Sequence, residues 1–401
     1  MKKTTILLLS LLMYASCVEE YNVSKGITDN HESSLVIQGQ ILSGDNSIVY
    51  LNNTAPFGQI NRPEAILNAN IYVIGQNGFQ SEKAAFDIEN DRYVIPTYDL
   101  PNNTQYAIKV ELDGETYQSI FQPIQPAKEI DEVYYIEGEN DLTIRISSHG
   151  NVNESPYYMW TYEEDWEVHP SIDISKALNT GYWKYSESIY ADLEIGKHNP
   201  YYNCWGHDKS EMIHIYNASN LSDNSIKGYN LLSIPLDDAR VSYLYSILVK
   251  QASLNEETYE YFRLQKLYSE ESGGIFTPMP TEIKGNVSCI SNPEIKVHGY
   301  VLASQITTHR IFIDATDLFQ TDLLNLCSSV MGLKNPTWEQ HVKWTNEWQK
   351  EMRDNGAILW HENKENLFTE TSVLYTRICA DCRIFPNATK KRPDFWPNNH
   401  E

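Results

Sequence analysis

The amino-acid sequence predicts a mainly β protein, with an N-terminal immunoglobulin-like β-sandwich followed by a larger β-rich domain with a few helices. Short segments in which apolar and polar residues alternate recur through residues 34–126, and a longer one spans residues 241–250. Alternation with a period of two is the pattern of a half-buried strand. Aromatic residues, which favour strands, make up 12% of the chain, and 27 residues are tyrosines.

The N-terminus has the pattern of a secretory signal peptide. Lys2 and Lys3 precede an apolar stretch at residues 6–13, and small residues follow before Cys17. The stretch is shorter than the roughly 20 residues that a membrane-spanning helix needs. We therefore expect residues 1–16 to be removed and Cys17 to become the acylated first residue of a lipoprotein. Ordinary cleavage nearby, leaving a free thiol, is the alternative.

The acidic pair after the cysteine suggests where the lipoprotein is displayed. Glu19 and Glu20 resemble the surface-export signal of Bacteroidota lipoproteins, and a solvated charge pair is the alternative. Residues 17–33 are polar and show no clear period, so we expect a lipidated flexible tether. These features together predict an outer-membrane location facing the cell surface.

The charge of the chain argues against nucleic-acid binding. Removing residues 1–16 removes two lysines and no acidic residue, so the formal charge falls from -23 to -25. Such a body repels phosphate backbones, and the sequence contains no basic run.

Six alternating segments predict the strands of the N-terminal domain. They span residues 35–41, 47–51, 70–74, 92–95, 106–112 and 115–121. The last two flank Asp113 and Gly114, and a two-residue Asp-Gly loop between alternating segments is the strongest short-range hairpin signal. Strands at this spacing predict an immunoglobulin-like sandwich over residues 34–126, with Pro123 and Pro126 in a linker at its end.

The second domain, β-rich with helical insertions, is expected over residues 130–401. Residues 241–250 alternate well and predict a central strand. A helix should follow, because Ser253 and Glu256 have the spacing of a capping box with Ser253 as the N-cap. A Gly-Gly pair at residues 273–274 would end this helix.

A further helix is predicted to begin at Thr337, with Gln340 completing its capping box and Gly356 ending it. It carries a stripe of large apolar side chains at four-residue spacing: Trp344, Trp348 and Met352. We expect this stripe to pack into the core, and a ligand-binding surface is the alternative.

Five cysteines follow Cys17, and they leave three interpretations open. They are Cys204, Cys289, Cys327, Cys379 and Cys382. In an oxidising envelope we expect disulfides, with one thiol left over because the count is odd. Cys204 and His207 have a two-residue gap, as do Cys379 and Cys382, so these four could instead supply a Cys₃His zinc site. The Cys-x-x-Cys spacing also permits a redox site.

The sequence lacks the motifs of common catalytic sites. It has no H-E-x-x-H, no G-x-S-x-G, no phosphate-binding loop and no dinucleotide-binding glycine pattern, so we expect a protein that is not an enzyme. The acidic run Glu163-Glu164-Asp165 could supply paired carboxylates for glycoside hydrolysis. A solvated edge is the interpretation that we prefer for this run.

Tyrosine and tryptophan side chains suit peptide or glycan ligands because they stack and also form hydrogen bonds. The candidate ligand-contact aromatics are Trp160, Trp166, Tyr182 and Trp183. Core packing is expected for at least half of them.

The order of several segments resembles one known family. These segments are residues 245–251, 259–262, 273–276, 285–287, 299–304, 310–313, 379–383 and 391–397. They are similar to the Bacteroidota lipoprotein family catalogued as domain of unknown function 4249, over nearly the whole mature chain. The sequence departs from that family at residues 384–388, where relatives usually carry glycines. The tryptophan-rich helix near Trp344 also looks like an addition.

The resemblance implies a role but no activity. Members of that family are typically encoded beside SusC-like TonB-dependent receptors, so it implies a non-enzymatic accessory subunit of such a receptor, acting as a lid or as a substrate-capturing subunit. A structural or assembly factor of the envelope is the alternative, and an envelope enzyme is a third. We thus expect anchoring by the lipid from the N-terminal pattern, a receptor barrel as partner from the resemblance, and a peptide or glycan ligand from the aromatic residues.

Overall fold

The computed structural model describes residues 34–54, 64–101, 103–151, 153–175, 182–194, 197–210, 214–221, 223–271, 283–318, 327, 329–333, 337–361 and 372–397. The predicted signal peptide and tether, with Cys17, Glu19 and Glu20, lie outside these residues, as does the Gly-Gly pair at residues 273–274.

The alternating segments of the N-terminal region form strands. These are β1 (Leu35–Ser43), β2 (Asn46–Asn53), β3 (Asn70–Gly75), β4 (Ala85–Asp87), β5 (Arg92–Pro96), β6 (Gln105–Leu112), β7 (Glu115–Ser119) and β8 (Gln122–Pro123). All six predicted strands are confirmed. The β6–β7 hairpin turns at Asp113 and Gly114 with φ of 50° and 85°, because an Asp-Gly loop tolerates positive φ at both positions.

The remainder of the described chain is also mainly β, as predicted. Its strands are β9 (Ile130–Glu137), β10 (Asp141–Ser148), β11 (Tyr157–Val168), β12 (Tyr182–Lys184), β13 (Cys204–Lys209), β14 (His214–Asn217), β15 (Ile226–Pro235), β16 (Leu244–Leu254), β17 (Val287–Cys289), β18 (Val297–His298), β19 (Val301–Asp314), β20 (Ser329–Leu333), β21 (Ile358–His361), β22 (Ser372–Tyr375) and β23 (Ala388–Thr389). The two helices described are α1 (Glu256–Glu271) and α2 (Trp338–Asn355), and neither is long and apolar enough to cross a membrane.

One large sheet runs through both halves of the chain. Its strand order is β23-β13-β11-β16-β19-β1-β2-β5-β4, with β14 also paired to β11 and β18 to β1. The predicted central strand is confirmed as β16, which lies between β11 and β19. The β15-β10-β9 sheet packs on this region, and its Leu142, Ile144 and Ile146 share a core with Ile247 and Val249 of β16.

The N-terminal sandwich is completed by strands from far along the chain. Its second sheet has the order β17-β7-β6-β3, with β8 paired to β6. The core between the sheets includes Ile37, Ile71 and Ile108 from the N-terminal region, but also Cys289 and Val301. Hydrogen bonding therefore crosses the boundary expected after residue 126, because β17, β18 and β19 pair with β7 and β1.

The segment expected to be a linker is packed along β19. Gln125 pairs with Ser304 in a parallel bridge, its N–H donates to the carbonyl of Ala303 at 3.1 Å, and its carbonyl accepts from Gln305 at 2.8 Å. Pairing to a strand satisfies backbone groups that a free linker would leave to water. The linker interpretation is therefore corrected, since this segment is an ordered connection between the two halves.

Glycine permits the close approach of β1 to the chain that leads into β19. Gly299 has φ +110°, and a Cβ there would overlap the carbonyl oxygen of Ile37. A Cβ on Gly285 would in turn overlap the carbonyl oxygen of Gly299. Immediately after this crossing, the N–H of Gly39 donates to the carbonyl of Tyr300 at 2.9 Å.

The start of α1 differs from the prediction. Ser253 remains in β16, paired with Tyr158, so the predicted capping box at Ser253 is wrong. Asn255 caps the helix instead, with its Oδ1 accepting from the N–H of Thr258 at 2.8 Å. Strand pairing continues through Leu254, and this tertiary constraint outweighs the local capping signal.

The predicted ends of α2 are confirmed. Thr337 and Gln340 form a reciprocal capping box, and Gly356 ends the helix in the left-handed conformation with φ 68°. The stripe of Trp344, Trp348 and Met352 is buried against the β20–β22 sheet, so the core-packing interpretation holds. The capping residues and the stripe thus place α2 as the cover of that sheet.

Substitutions of two glycines with positive φ test the close approach of Gly299 to Ile37 of β1. Gly299→Ala should lower the free energy of unfolding by about 3 kcal/mol or more, since both the left-handed backbone and the overlap with Ile37 oppose a Cβ. Gly78 has φ +87° and open space around its missing Cβ, so Gly78→Ala should cost about 1 kcal/mol. Urea unfolding of both variants measures the difference, and equal losses would contradict the close-approach argument.

Candidate ligand-binding site

Two of the four candidate ligand-contact aromatics are buried, and the side chains of the other two lie outside the described residues. Trp160 and Trp166 are 0% and 4% exposed, so both rings belong to the core and neither is free to contact a ligand. Tyr182 and Trp183 lie in the β12 strand, and their side chains are outside the described residues. The ligand-contact hypothesis therefore does not hold for the two tryptophans of β11.

Trp160 nevertheless supports a surface aromatic cluster from beneath. Its ring stacks on Tyr229 at 4.6 Å and on Tyr158 at 5.7 Å between centroids, and Tyr216 meets Tyr229 edge-on at 5.8 Å. Trp160 Nε1 donates to Gln251 Oε1 at 2.8 Å, which fixes the indole in its plane. A buried, hydrogen-bonded tryptophan therefore holds two half-exposed tyrosines in position.

These tyrosines line a cleft of about 690 Å³ between β10, β14 and β15, called the aromatic cleft below. The residues around it are Arg145, Tyr216, Leu221, Ser225, Ile226, Lys227, Gly228, Tyr229 and Asn230. Two of these lining residues, Arg145 and Lys227, are cationic, and none of them is acidic. The cleft combines aromatic faces, apolar edges and positive charge in a protein that is acidic overall.

The irregular pairing of β10 with β15 lies in the wall of the aromatic cleft. The register shifts between Ile146 and Ser148, opposite Gly228, which adopts φ +68°. A Cβ on Gly228 would lie 2.8 Å from the hydroxyl of Tyr134, so glycine fits this position. Arg145 lies at the other register shift, and its buried Nε has no hydrogen-bond partner in the described part of the chain. The bulge thus leaves a guanidinium with unused bonding capacity beside the tyrosines.

Sequence patterns alone did not single out the residues of the aromatic cleft. Tyr216 and Tyr229 lie in short or bulged strands, where alternation is interrupted. The available signal was the pairing of tyrosines with a positively charged neighbourhood, as in Lys227-Gly228-Tyr229. Such a pairing is common in β proteins. It identifies a binding site only once the fold brings β10, β14 and β15 together.

Two of the three residues in the acidic run on β11 are buried, which corrects the solvated-edge prediction for Glu164 and Asp165. Glu164 and Asp165 are 3% and 4% exposed, whereas Glu163 is partly exposed and pairs with Lys250 at 3.1 Å. β11 lies inside the sheet, between β16 and the β13 and β14 strands, so it has no open edge there. Adjacent residues on a strand point to opposite faces, so Glu164 and Asp165 do not face one another across a shared site.

Each buried carboxylate has its own cation. Glu164 accepts from the Tyr245 hydroxyl at 2.7 Å and from Arg240 at 2.9 Å, while Asp165 pairs with Arg310 at 3.1 Å. Burial raises the pKa of Glu164, and the Arg240 guanidinium beside it acts in the opposite direction. Charge pairs of this kind, hydrogen bonded on opposite faces of a sheet, are typical of structural ion pairs and do not favour the glycoside hydrolysis hypothesis.

The cysteines form two disulfides. Cys204 bonds to Cys382, with Cα atoms 5.6 Å apart, and Cys327 bonds to Cys379, with Cα atoms 4.6 Å apart. Cys289 is a buried free thiol, so one cysteine is left over. The disulfide interpretation thus describes this structure.

The zinc and redox alternatives do not fit this structure. Cys379 and Cys382 belong to different disulfides, so they form neither a dithiol pair nor a set of thiolate ligands with Cys204. The Nδ1–H of His207 donates to Asp165 Oδ1 at 2.8 Å, and this bond raises the pKa of His207. No cluster of three or more metal-ligating side chains comes together among the described residues.

The C-terminal segment closes over one face of the large sheet, and residues 388–397 are called the C-terminal strap below. β23 pairs with β13, and the strap continues across β19, where Phe395 covers the guanidinium of Arg310 at 3.6 Å. Trp396 is buried and donates from Nε1 to Glu167 Oε2 at 2.9 Å. The strap therefore covers the charged side chains of Arg310 and Glu167 on this face of the sheet.

Comparison with known families identifies the class of protein. A family model described as "Domain of unknown function (DUF4249)" matches residues 20–310. The chain therefore belongs to this family. The match includes the glycine crossing and the aromatic cleft, whereas the C-terminal strap and α2 lie outside it. No curated protein matches the chain.

Removing one cation from the buried layer should destabilise the fold. Arg240→Met leaves Glu164 buried without its cation, so we expect a loss of about 3 kcal/mol in the free energy of unfolding. Arg263→Met is the matched control, because the Arg263–Glu260 pair on α1 is exposed and should contribute less than about 1 kcal/mol. Chemical denaturation compares the two variants, and a small loss for Arg240→Met would show that Glu164 is not held as a buried anion.

Proposed function

We propose that this protein is a surface-exposed outer-membrane lipoprotein that serves as a non-enzymatic, substrate-capturing subunit of a TonB-dependent receptor. The aromatic cleft is the observation that supports capture, since it offers an open binding surface without a catalytic arrangement. The signal-peptide pattern ending at Cys17 supports the lipid anchor. The resemblance to lipoproteins encoded beside SusC-like receptors supports the partner.

The chemistry of the aromatic cleft indicates what it would capture. Tyr216 and Tyr229 offer faces on which a sugar ring or a planar peptide side chain can pack. Arg145 and Lys227 would attract a carboxylate, and an arginine can bind both carboxylate oxygens at once. We therefore propose a peptide or glycan that carries an acidic group, bound without chemical conversion.

The buried charges support binding over catalysis. Glu164 and Asp165 are the acidic residues that the sequence offered for hydrolysis, and both are engaged by arginines away from the aromatic cleft. A hydrolase that retains or inverts configuration needs two carboxylates that face the scissile bond together. The non-enzymatic proposal rests on this separation.

Recovery of the native complex tests the receptor partnership. A tagged full-length protein, extracted from its own outer membrane in mild detergent, should bring down a TonB-dependent barrel in stoichiometric amount, as mass spectrometry would show. A Cys17→Ser version should be recovered from the soluble fraction and should not co-purify with membranes, because it lacks the acylated residue.

Recovery of the lipoprotein alone would reject the receptor partnership and favour a structural or assembly role. A Cys17→Ser protein that stayed on the membrane would contradict the lipid anchor separately, so the two parts of the proposal can fail independently.

Binding to arrays of acidic glycans and acidic peptides tests capture. Tyr229→Ala should weaken the best ligand by about tenfold or more, since it removes an aromatic side chain that lines the aromatic cleft. Tyr72→Ala changes a half-buried tyrosine on β3, in the other half of the molecule, and should leave binding unchanged. Equal affinity of wild type and Tyr229→Ala would exclude the aromatic cleft as the capturing surface.

A further inference from the structure

A second cleft, of about 320 Å³, lies between two parts of the chain that are distant in sequence. One wall comes from residues 198–205, and the other comes from the C-terminal strap. The β13–β23 pairing and the Cys204–Cys382 disulfide fasten these walls to each other. This strap cleft is therefore a built part of the folded chain, separate from the aromatic cleft.

The strap cleft is lined by cationic side chains, although the whole chain carries a formal charge of -23. These are Lys390 and Arg392, and the imidazole of His198 also lines the cleft. Lys390 is exposed and has no carboxylate partner among the described residues, and its Nζ lies 5.8 Å from the centroid of the Tyr201 ring. Arg392 is oriented by a bond of 2.7 Å to the carbonyl of Pro397. Positive groups gathered on an acidic protein favour an anionic ligand.

One carboxylate also lines the strap cleft, and both of its oxygens are already hydrogen bonded. Glu167 is 2% exposed; its Oε1 bonds His169 at 2.6 Å, and its Oε2 accepts from Trp396 at 2.9 Å. Glu167 therefore anchors the Trp396 indole as part of the cleft wall. The accessible charged groups of the cleft are the cations.

Two buried polar atoms in the walls lack partners. The Oδ1 of Asn203 and the Nε1 of Trp205 have no hydrogen-bond partner in the described part of the chain, and both residues line the strap cleft. One is an acceptor and the other a donor. Buried polar groups are nearly always hydrogen bonded in folded proteins, so this pair indicates a ligand that offers both a hydroxyl and an oxygen acceptor.

We infer that the strap cleft binds a small hydroxylated carboxylate, of the size of a single sugar acid. The carboxylate would pair with Lys390 and Arg392, and the hydroxyls would bond Asn203 and Trp205. The indole of Trp396 supplies an aromatic wall for the ring. The volume is near the lower end for ligand pockets, which favours one ring over an oligosaccharide. This inference does not depend on the receptor partnership.

Titration of the full mature chain with sugar acids tests the inference. Glucuronate and galacturonate should bind saturably by isothermal titration calorimetry, and glucose and galactose should bind at least about tenfold more weakly, because they lack the carboxylate. Added sodium chloride should weaken binding of the acids, since the contact is charged.

Variants at the strap cleft assign the binding to it. Lys390→Gln should raise the Kd of glucuronate by about tenfold with no change in thermal midpoint, because Lys390 is exposed. Trp205→Phe keeps the ring shape but removes the Nε1 donor, and should also raise the Kd. Lys343→Gln removes an exposed lysine of α2 that lines neither cleft, and should leave the Kd unchanged.

Three outcomes would overturn the inference. These are the absence of saturable binding by either sugar acid, equal affinity for acids and neutral sugars, and an unchanged Kd in Lys390→Gln. If glucuronate bound saturably and Lys390→Gln left its Kd unchanged, the ligand would lie elsewhere on the protein.

Discussion

The parallel hydrogen bonds between β1 and β19 hold the two halves of the molecule together. β19 pairs with β16 on one side and with β1 on the other, so a single strand belongs to the C-terminal body and to the N-terminal sandwich. A parallel pair requires a long crossover, and here the crossover includes most of the chain. An ion pair of 3.0 Å between Asp45 and Lys250 adds a contact across the same junction. Both clefts are built on strands beyond this junction, since β13 and β14 pair with β11, which in turn pairs with β16.

The buried charges of β11 show how neighbouring residues serve different layers. Glu164 faces the core beneath the β9–β10–β15 sheet with Tyr245, while Asp165 and Glu167 face the strap with Arg310 and Trp396. Each carboxylate must find its own partner, because a buried anion without one is costly. The packing of both layers against the sheet is thereby specified at three positions of β11, with Glu164 on one face and Asp165 and Glu167 on the other.

The two clefts differ in how they relate to the family. The aromatic cleft lies within residues 20–310, so its framework belongs to the part of the chain that the family model covers. The strap cleft takes one wall from residues 390–396, outside that match, and the Cys204–Cys382 disulfide joins this wall to the covered region. The family model thus covers the framework of the aromatic cleft, but only one wall of the strap cleft.

Local patterns in the sequence determined the strands of the sandwich, the Asp113–Gly114 hairpin and the capped ends of α2, because alternation, turn residues and caps act over a few neighbouring residues. The sequence alone misplaced the start of α1 and left Glu164 and Asp165 on a solvated edge, because each outcome depends on a neighbouring strand. The disulfide partners, the β1–β19 pairing and both clefts were decided by tertiary structure. Each of these brings together residues that are far apart in the chain, and no local pattern records which distant segments will meet.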